Sequence, residues 1–595
     1  MRLPATYSIP IIFAALVSAQ PNVTINIGSI NGEQCPSTNS SRYLGIPYAQ
    51  PPVGSLRFAA PQPYNGTYPG GTFNATKTPA TCLPFSQGYI NPSPTSEDCL
   101  VLNVFTPAGA GPDSKLPVKF YIYGGSFLDG SIADPLLDGC NIASDAIVVS
   151  VNYRVGPLGF LAAPSAGIPG NMGISDQILG LEWVQDNIAA FGGDPKKVLL
   201  FGESAGAIST WILAGLPDAT KWMSSAICES GAGIPTLTQS AGTQLGAQIV
   251  QNLNCSASDG ACIKSKQYSD LLSSLPASSG LSLANLLNTF GPYVDGNVIP
   301  ENPSNVAAKV PVIYGTNADE GTFFISPIVN PTTFANASYS AVVSSLFKTD
   351  AASILSAYPL SAFTYAPNPA FEALSQLYTD VVFKCPTYGA LALADSKGIP
   401  AYSYRFNTIP SCIPAAGVRY PGLTDAQDGQ YFRAYHTSEI PFVWGDVDHE
   451  SLYPNGTCSF TSAEKSISQV FINSWTNMAS QQYPAGGKGG VDGQWPRWNT
   501  SDSLGLVFGN QTTVGTVDYS KCLVLEPIVN QLLGISNSSS TNASSTSSGS
   551  STATHTGGST PSSTSSTTPS SNGVDMRRVN VWALGAIMVF MLLLL

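Results

Sequence analysis

The stretch Gly202-Glu203-Ser204-Ala205-Gly206 sets a hydroxyl between two glycines, a spacing that suits a nucleophile held on a tight turn. Such a hydroxyl attacks a carbonyl only when a base takes its proton, and histidine is the usual base at neutral pH. The chain has three histidines. His555 lies inside a Ser/Thr tract, and His449 sits among Asp446, Asp448 and Glu450 as a solvated loop residue would. His436, in "FRAYHTSEIPFVWG", stands just before an apolar segment that anchors its loop, so elimination leaves it as the base. A carboxylate must then orient the imidazole and stabilise its protonated form. Between Ser204 and His436 in chain order, "VPVIYGTNADEGTFF" supplies an expected strand over residues 310–314 followed by Asp319 and Glu320. Spacing does not decide between these two.

These side chains need a frame. Upstream of Ser204, Leu181, Val184, Ile188 and Phe191 recur at helical spacing, and Gly192-Gly193 supplies a stop. Residues 198–201 form a short apolar run, as a strand buried on both faces would, and residues 205–214 resume a helical pattern. A serine on a strand-to-helix turn brings backbone so close that side chains two residues away would collide, which accounts for both glycines. The turn also sets the N–H of Ala205 at a helix N-terminus, where a developing oxyanion is stabilised. The alternative for the pentapeptide is a glycine-rich strand-to-helix turn without chemistry, which the local pattern favours less. Expected strands at residues 116–125 and 146–153 alternate with helical segments, which implies an α/β fold with a largely parallel sheet. Reacting groups gather at the carboxyl ends of such strands, so Tyr123-Gly124-Gly125-Ser126 is expected to meet the Ser204 turn.

The two ends read as address labels. Arg2, an apolar run over residues 9–17 and small residues near Ala19 mark residues 1–19 as a secretory leader. Residues 536–573 form a Ser/Thr/Gly/Asn-rich stalk that lacks the apolar surface to fold. Small residues Ser571, Asn572 and Gly573, a polar spacer and a terminal apolar run over residues 574–595 follow the order of a glycosylphosphatidylinositol attachment signal, with attachment near Ser571 or Asn572. A membrane span fits less well, because Arg577 and Arg578 would then lie on the exported side. The expected location is the outer face of the plasma membrane or the cell wall. Residues 20–535 make up the folded part.

Charged residues are 10% of the chain and the net charge is −12, which excludes nucleic acid as a natural partner. Eleven N-x-S/T sequons run from Asn22 to Asn542. Eleven cysteines in an exported chain imply disulfides with at least one thiol over. Cys82 with Cys99, and Cys255 with Cys262, are near enough to staple local loops; pairing among the other seven stays open, and Cys228 reads as a buried thiol. No Cys/His spacing suggests a metal site, and no cofactor is implied.

The chain resembles the type-B carboxylesterase/lipase branch of the α/β-hydrolases, which includes cholinesterases and secreted fungal lipases. The resemblance runs from about Tyr43 to about Leu533, through "YLGIPYAQPPVGSLRF", "EDCLVLNVF", "YIYGGSF", "NYRVGPLGF", "GNMGISDQ", "FGGDPKKVLLFGESAGA", "DEGTFF" and "HTSEIPFVWG". It implies one large α/β-hydrolase domain with a wide, mostly parallel sheet. It also implies Ser204 as nucleophile, His436 as base, Glu320 rather than Asp319 as acid, and the N–H groups of Gly125, Ser126 and Ala205 as oxyanion donors. The Cys82–Cys99 and Cys255–Cys262 bridges match the family's, Arg57–Glu97 and Arg154–Asp176 are expected as structural ion pairs, and Glu203 and Glu439 as supports of the site.

Two departures bear on the expected function, a serine carboxylic ester hydrolase acting on small-molecule or lipid esters. Ser126 replaces the family's third oxyanion glycine, and its Cβ narrows the backbone angles. The tryptophan that cholinesterases carry about ten residues before Cys99 is absent from "GYINPSPT", so a quaternary ammonium lacks its aromatic face and choline esters are not expected. Only 16 residues separate Cys82 from Cys99, stiffened by Pro84, Pro92 and Pro94. That implies a weakly lidded site, more esterase than interfacial lipase. A non-catalytic cell-surface adhesion protein of the same fold is the alternative, disfavoured because serine, acid and histidine all remain. Oligomeric state is not legible.

Overall fold

The strand that carries Ser204 owes its place to Val198, Leu199, Leu200 and Phe201, all without solvent exposure in the computed structural model. That structure describes residues 20–86, 92, 94–276, 290–411, 423, 425–446, 459–485 and 495–533. The leader, the stalk, the anchor signal, His449, His555, Cys412 and Cys458 lie outside the described residues.

Eleven strands build one sheet: β1 (Glu33–Gln34), β2 (Ser41–Pro47), β3 (Val101–Thr106), β4 (Leu116–Ile122), β5 (Ile147–Val151), β6 (Gly193–Glu203), β7 (Ser225–Glu229), β8 (Val312–Asn317), β9 (Ala401–Phe406), β10 (Leu504–Phe508) and β11 (Thr512–Thr516). Their spatial order is β11-β10-β9-β8-β7-β6-β4-β5-β3-β2-β1. All pairings from β5 to β10 are parallel, and the two ends are antiparallel. The reversal of order at β4 opens a crevice beyond the carboxyl ends of β4 and β6, where Ile122 pairs with Gly202.

Around this sheet pack α1 (Met172–Asn187), α2 (Ala205–Gly215), α3 (Pro369–Thr379), α4 (Cys385–Ser396), α5 (Ser462–Gln481) and α6 (Cys522–Leu533). The predicted stop holds: after α1 a 3₁₀ turn, Ile188–Phe191, is closed by Gly192 at φ 94°. One strand is displaced from its expected span. β8 covers Val312–Asn317 rather than 310–314, since Pro311 has no N–H for the ladder and the buried polar residues Thr316 and Asn317 stay paired with Arg405 and Phe406. Apolar pattern alone stops such a strand too early.

The structure closes Cys82–Cys99 and Cys255–Cys262, and it supplies two bridges that spacing left open, Cys35–Cys140 and Cys385–Cys522, spanning 105 and 137 residues. Cys228 is buried and free. Arg57 meets Glu97 at 2.7 Å and Arg154 meets Asp176 at 2.7 Å. No helix among the described residues is long and apolar enough to cross a membrane.

Candidate active site

Ser204 stands between β6 and α2 with φ 54° and ψ −121°, a conformation that a non-glycine residue holds only when its surroundings impose it. The glycines on either side make the turn possible. A Cβ on Gly206 would strike the carbonyl oxygen of Ile122, and one on Gly202 would lie 2.6 Å from backbone atoms of Gly206 and Ile122. The N–H of Ser204 donates to the carbonyl of Glu229 at 2.9 Å, tying the turn to the end of β7.

The loop after β4 curls over the same crevice. Gly125 has φ 108°, and a Cβ there would lie 2.5 Å from the carbonyl oxygen of Asp129. Ser126 and Phe127 follow with φ 55° and 58°, so the serine at the family's third glycine position adopts the left-handed conformation in spite of its Cβ. Among the described residues no acceptor takes the N–H of Gly125 or Ser126, and Ala205 opens the first turn of α2, where N–H groups lack helical partners.

His436 is fully buried, and its Nδ1 lies 2.7 Å from Oε2 of the equally buried Glu320. A carboxylate on Nδ1 holds the proton there and leaves Nε2 as the basic nitrogen. The ring packs against both Phe324 and Phe383, with centroids at 4.9 and 4.8 Å. Both phenylalanines also line the cavity that contains Ser204. His436 Nε2 has no hydrogen-bond partner among the described residues, and it faces Oε1 of Glu203, the residue before Ser204, at 3.2 Å. The chain thus brings the serine turn, the glycine loop, the histidine and Glu320 to one end of the sheet. Asp319 points elsewhere: it accepts from the backbone N–H of Ala434.

Glu203 belongs to a cluster of carboxyls with Glu229 and Glu439, all buried. Burial first, then Glu439, Glu320 and Glu229, holds the Glu203 carboxyl well above the ordinary range. Burial and Glu439 raise Glu229, against a hydrogen bond from Trp475 Nε1 at 2.7 Å. Burial and Glu320 push Glu439 up to about 8, against a hydrogen bond from Asn317. Glu203 Oε1, Glu229 Oε2, Glu439 Oε1 and Asn317 Oδ1 accept no hydrogen bond among the described residues. Sequence reasoning named Glu203 and Glu439 only by resemblance and missed Glu229 and Asn317; a carboxylate ending an apolar strand, as in "SAICE", is the signal that finds Glu229.

The cavity has a volume of about 200 Å³. Leu128, Ile208, Ile234, Phe290, Phe324 and Val382 are among its lining residues, and no described lining residue is charged. No group of three or more His, Cys, Asp or Glu among the described residues is arranged to hold a metal ion.

A strained serine at a strand-to-helix turn, beside free N–H groups and a carboxylate-bound imidazole at the switch point of a mixed sheet, defines the α/β-hydrolase class. The carboxylesterase family model matches residues 19–522, and the chain belongs to that family, whose class is carboxylic ester hydrolase. The chain is 31% identical over 510 residues to a para-nitrobenzyl esterase of Bacillus subtilis (83% of this chain, 95% of the relative). It is 35% identical over 445 residues to lipase 1 of Geotrichum candidum (63% and 78%) and 31% over 534 residues to a cholinesterase of Mus musculus (82% and 83%). A solved PNB esterase structure superposes with a TM-score of 0.68 at 29% identity, covering 86% of this chain and all of that one.

Proposed function

We propose that the protein hydrolyses neutral carboxylic esters with compact acyl groups through an acyl-enzyme on Ser204. Ser204 Oγ attacks the carbonyl carbon while His436 Nε2 takes its proton, and the N–H groups of Gly125, Ser126 and Ala205 receive the oxyanion. The imidazolium, stabilised by Glu320, protonates the departing alkoxide; water then repeats the sequence and releases the acid. The observation that carries this reading is the buried 2.7 Å contact between His436 and Glu320, with the imidazole seated on two phenylalanines that also wall the serine's cavity. An uncharged lining disfavours ionic substrates. A cavity of about 200 Å³ walled by apolar side chains is small beside ordinary ligand pockets, which favours short and medium acyl chains.

Secretion through residues 1–19, a folded domain over residues 20–535, the stalk over 536–573 and glycolipid anchoring near Ser571 or Asn572 belong to the same reading, supported by residue order and composition. The test is a p-nitrophenyl ester series from acetate to palmitate, with wild type and Ser204→Ala. Activity lost in the variant supports the reading; equal activity in both returns the protein to a recognition role. Release from cells by a phosphatidylinositol-specific phospholipase supports the anchor, and retention argues against it.

A further inference from the structure

Asp319 and Glu320 are adjacent carboxylates that face opposite ways. Glu320 holds the imidazole of His436, whereas Asp319 holds the backbone that leads to it. The N–H of Asp319 donates to the carbonyl of Ala434 at 2.9 Å, and Asp319 Oδ2 accepts the N–H of Ala434 at 3.1 Å. Its Oδ1 accepts from Gln376 Nε2 at 2.7 Å and from Arg433 Nε at 3.3 Å. Asp319 is 3% exposed and is not among the residues lining the cavity.

Arg433 completes the fastening. It has φ 57°, a conformation rare outside glycine and asparagine, immediately before the segment Ala434-Tyr435-His436. Its guanidinium is drawn back over the ring of Tyr365 at 5.1 Å, and its Nε lies 3.9 Å from Glu372 Oε1. Tyr365 in turn donates to Glu372 at 2.9 Å, and Gln376 Nε2 reaches Glu372 as well as Asp319. One cation therefore serves two buried carboxyl groups, which fixes where it sits.

We infer that Asp319, tied to Arg433, is a positioning residue for His436: it locks the segment that carries the base against the turn that carries the acid. This rests on the esterase reading above. Glu320 meets His436 through one hydrogen bond and Phe324 and Phe383 hold its ring by packing, and none of these contacts fixes the height of the backbone that carries the ring. Asp319 and Arg433 hold it two and three residues upstream. A displacement of about 1 Å in such a group costs about 10²-fold in rate.

The test compares wild type, Asp319→Asn, Arg433→Gln and Arg433→Lys in the full chain, with p-nitrophenyl butyrate as substrate and active sites titrated by an organophosphonate. Asn keeps the shape but loses the charge that holds the guanidinium. The expected result is a kcat per titrated site lower by about 10- to 100-fold for Asp319→Asn, with KM within about twofold and phosphonylation of Ser204 slowed in parallel. Arg433→Gln should lose about 3- to 10-fold in kcat, and Arg433→Lys should recover part of it. Should Asp319→Asn fail to fold, the two Arg433 variants carry the test alone. A wild-type kcat per titrated site in every folded variant, with only the melting temperature lowered, would overturn the inference. Its failure is separable from that of the esterase reading, which fails instead if wild type turns over no faster than Ser204→Ala.

Discussion

His436 Nδ1 lies 2.7 Å from Glu320 Oε2, and neither side chain reaches solvent. A buried pair of this kind does two things: it selects the proton-bearing nitrogen, and it offers a negative charge to the imidazolium formed during the reaction. Glu320→Gln keeps the shape and removes the charge. Its kcat should fall by about 10²- to 10⁴-fold with KM little changed, against about 10⁴-fold or more for Ser204→Ala. Steady-state kinetics on folded, titrated protein measures both.

The cavity sets a second expectation. Ile234 is buried and lines it. Ile234→Ala should move the optimum of the p-nitrophenyl ester series toward longer acyl chains by about two carbons, because the freed space accepts the methylenes removed from the wall. The profile of kcat/KM against chain length, compared with wild type, reads it directly. An unchanged optimum would place the acyl chain elsewhere.

Glycines in this chain differ in how much room they have for a side chain. Gly206→Ala puts a methyl group against the carbonyl oxygen of Ile122 on the neighbouring strand, backbone that has nowhere to go. Loss of soluble protein or a drop of about 3 kcal/mol or more is expected. At Gly66 a Cβ meets nothing within 4 Å, so Gly66→Ala should change stability by less than about 1 kcal/mol. Urea unfolding of the two variants makes the comparison.

Glu439, raised from 4.5 to about 8, predicts a particular dependence on pH. In that interval the folded state binds more protons than the unfolded chain, so the contribution of this group is fully present below about pH 4.5 and is lost as pH rises toward 8. Glu372, raised to about 7 by burial and then by Asp319, acts in the same direction. The urea midpoint of wild type should therefore fall between pH 5 and pH 8, and Glu439→Gln should flatten part of that decline. A midpoint rising over the interval would contradict the assignment of a protonated, buried carboxyl.

The glycine spacing, the strand before Ser204 and the helix after it were legible because they are local: sterics at a turn and a run of buried apolar residues leave their mark within about ten positions. The elimination that led to His436 was short because the chain has three histidines. Local pattern failed where polar side chains are buried. Thr316 and Asn317 belong to a core strand, and their polarity hid its end. Glu229 and Arg433 read as ordinary members of a strand and a loop until the fold set one beside Ser204 and the other behind His436.

What the amino-acid order determined by itself was the kind of fold and the types of group available for chemistry, since burial pattern and turn sterics act between near neighbours. Only the tertiary structure decided that Glu320 and not Asp319 meets the imidazole, that Cys35 pairs with Cys140 and Cys385 with Cys522, and that Ser126 tolerates a left-handed backbone. The Glu320 contact and the two bridges depend on distances between segments a hundred or more residues apart. Such distances are set by how strands stack into one sheet, and no short stretch of chain records them.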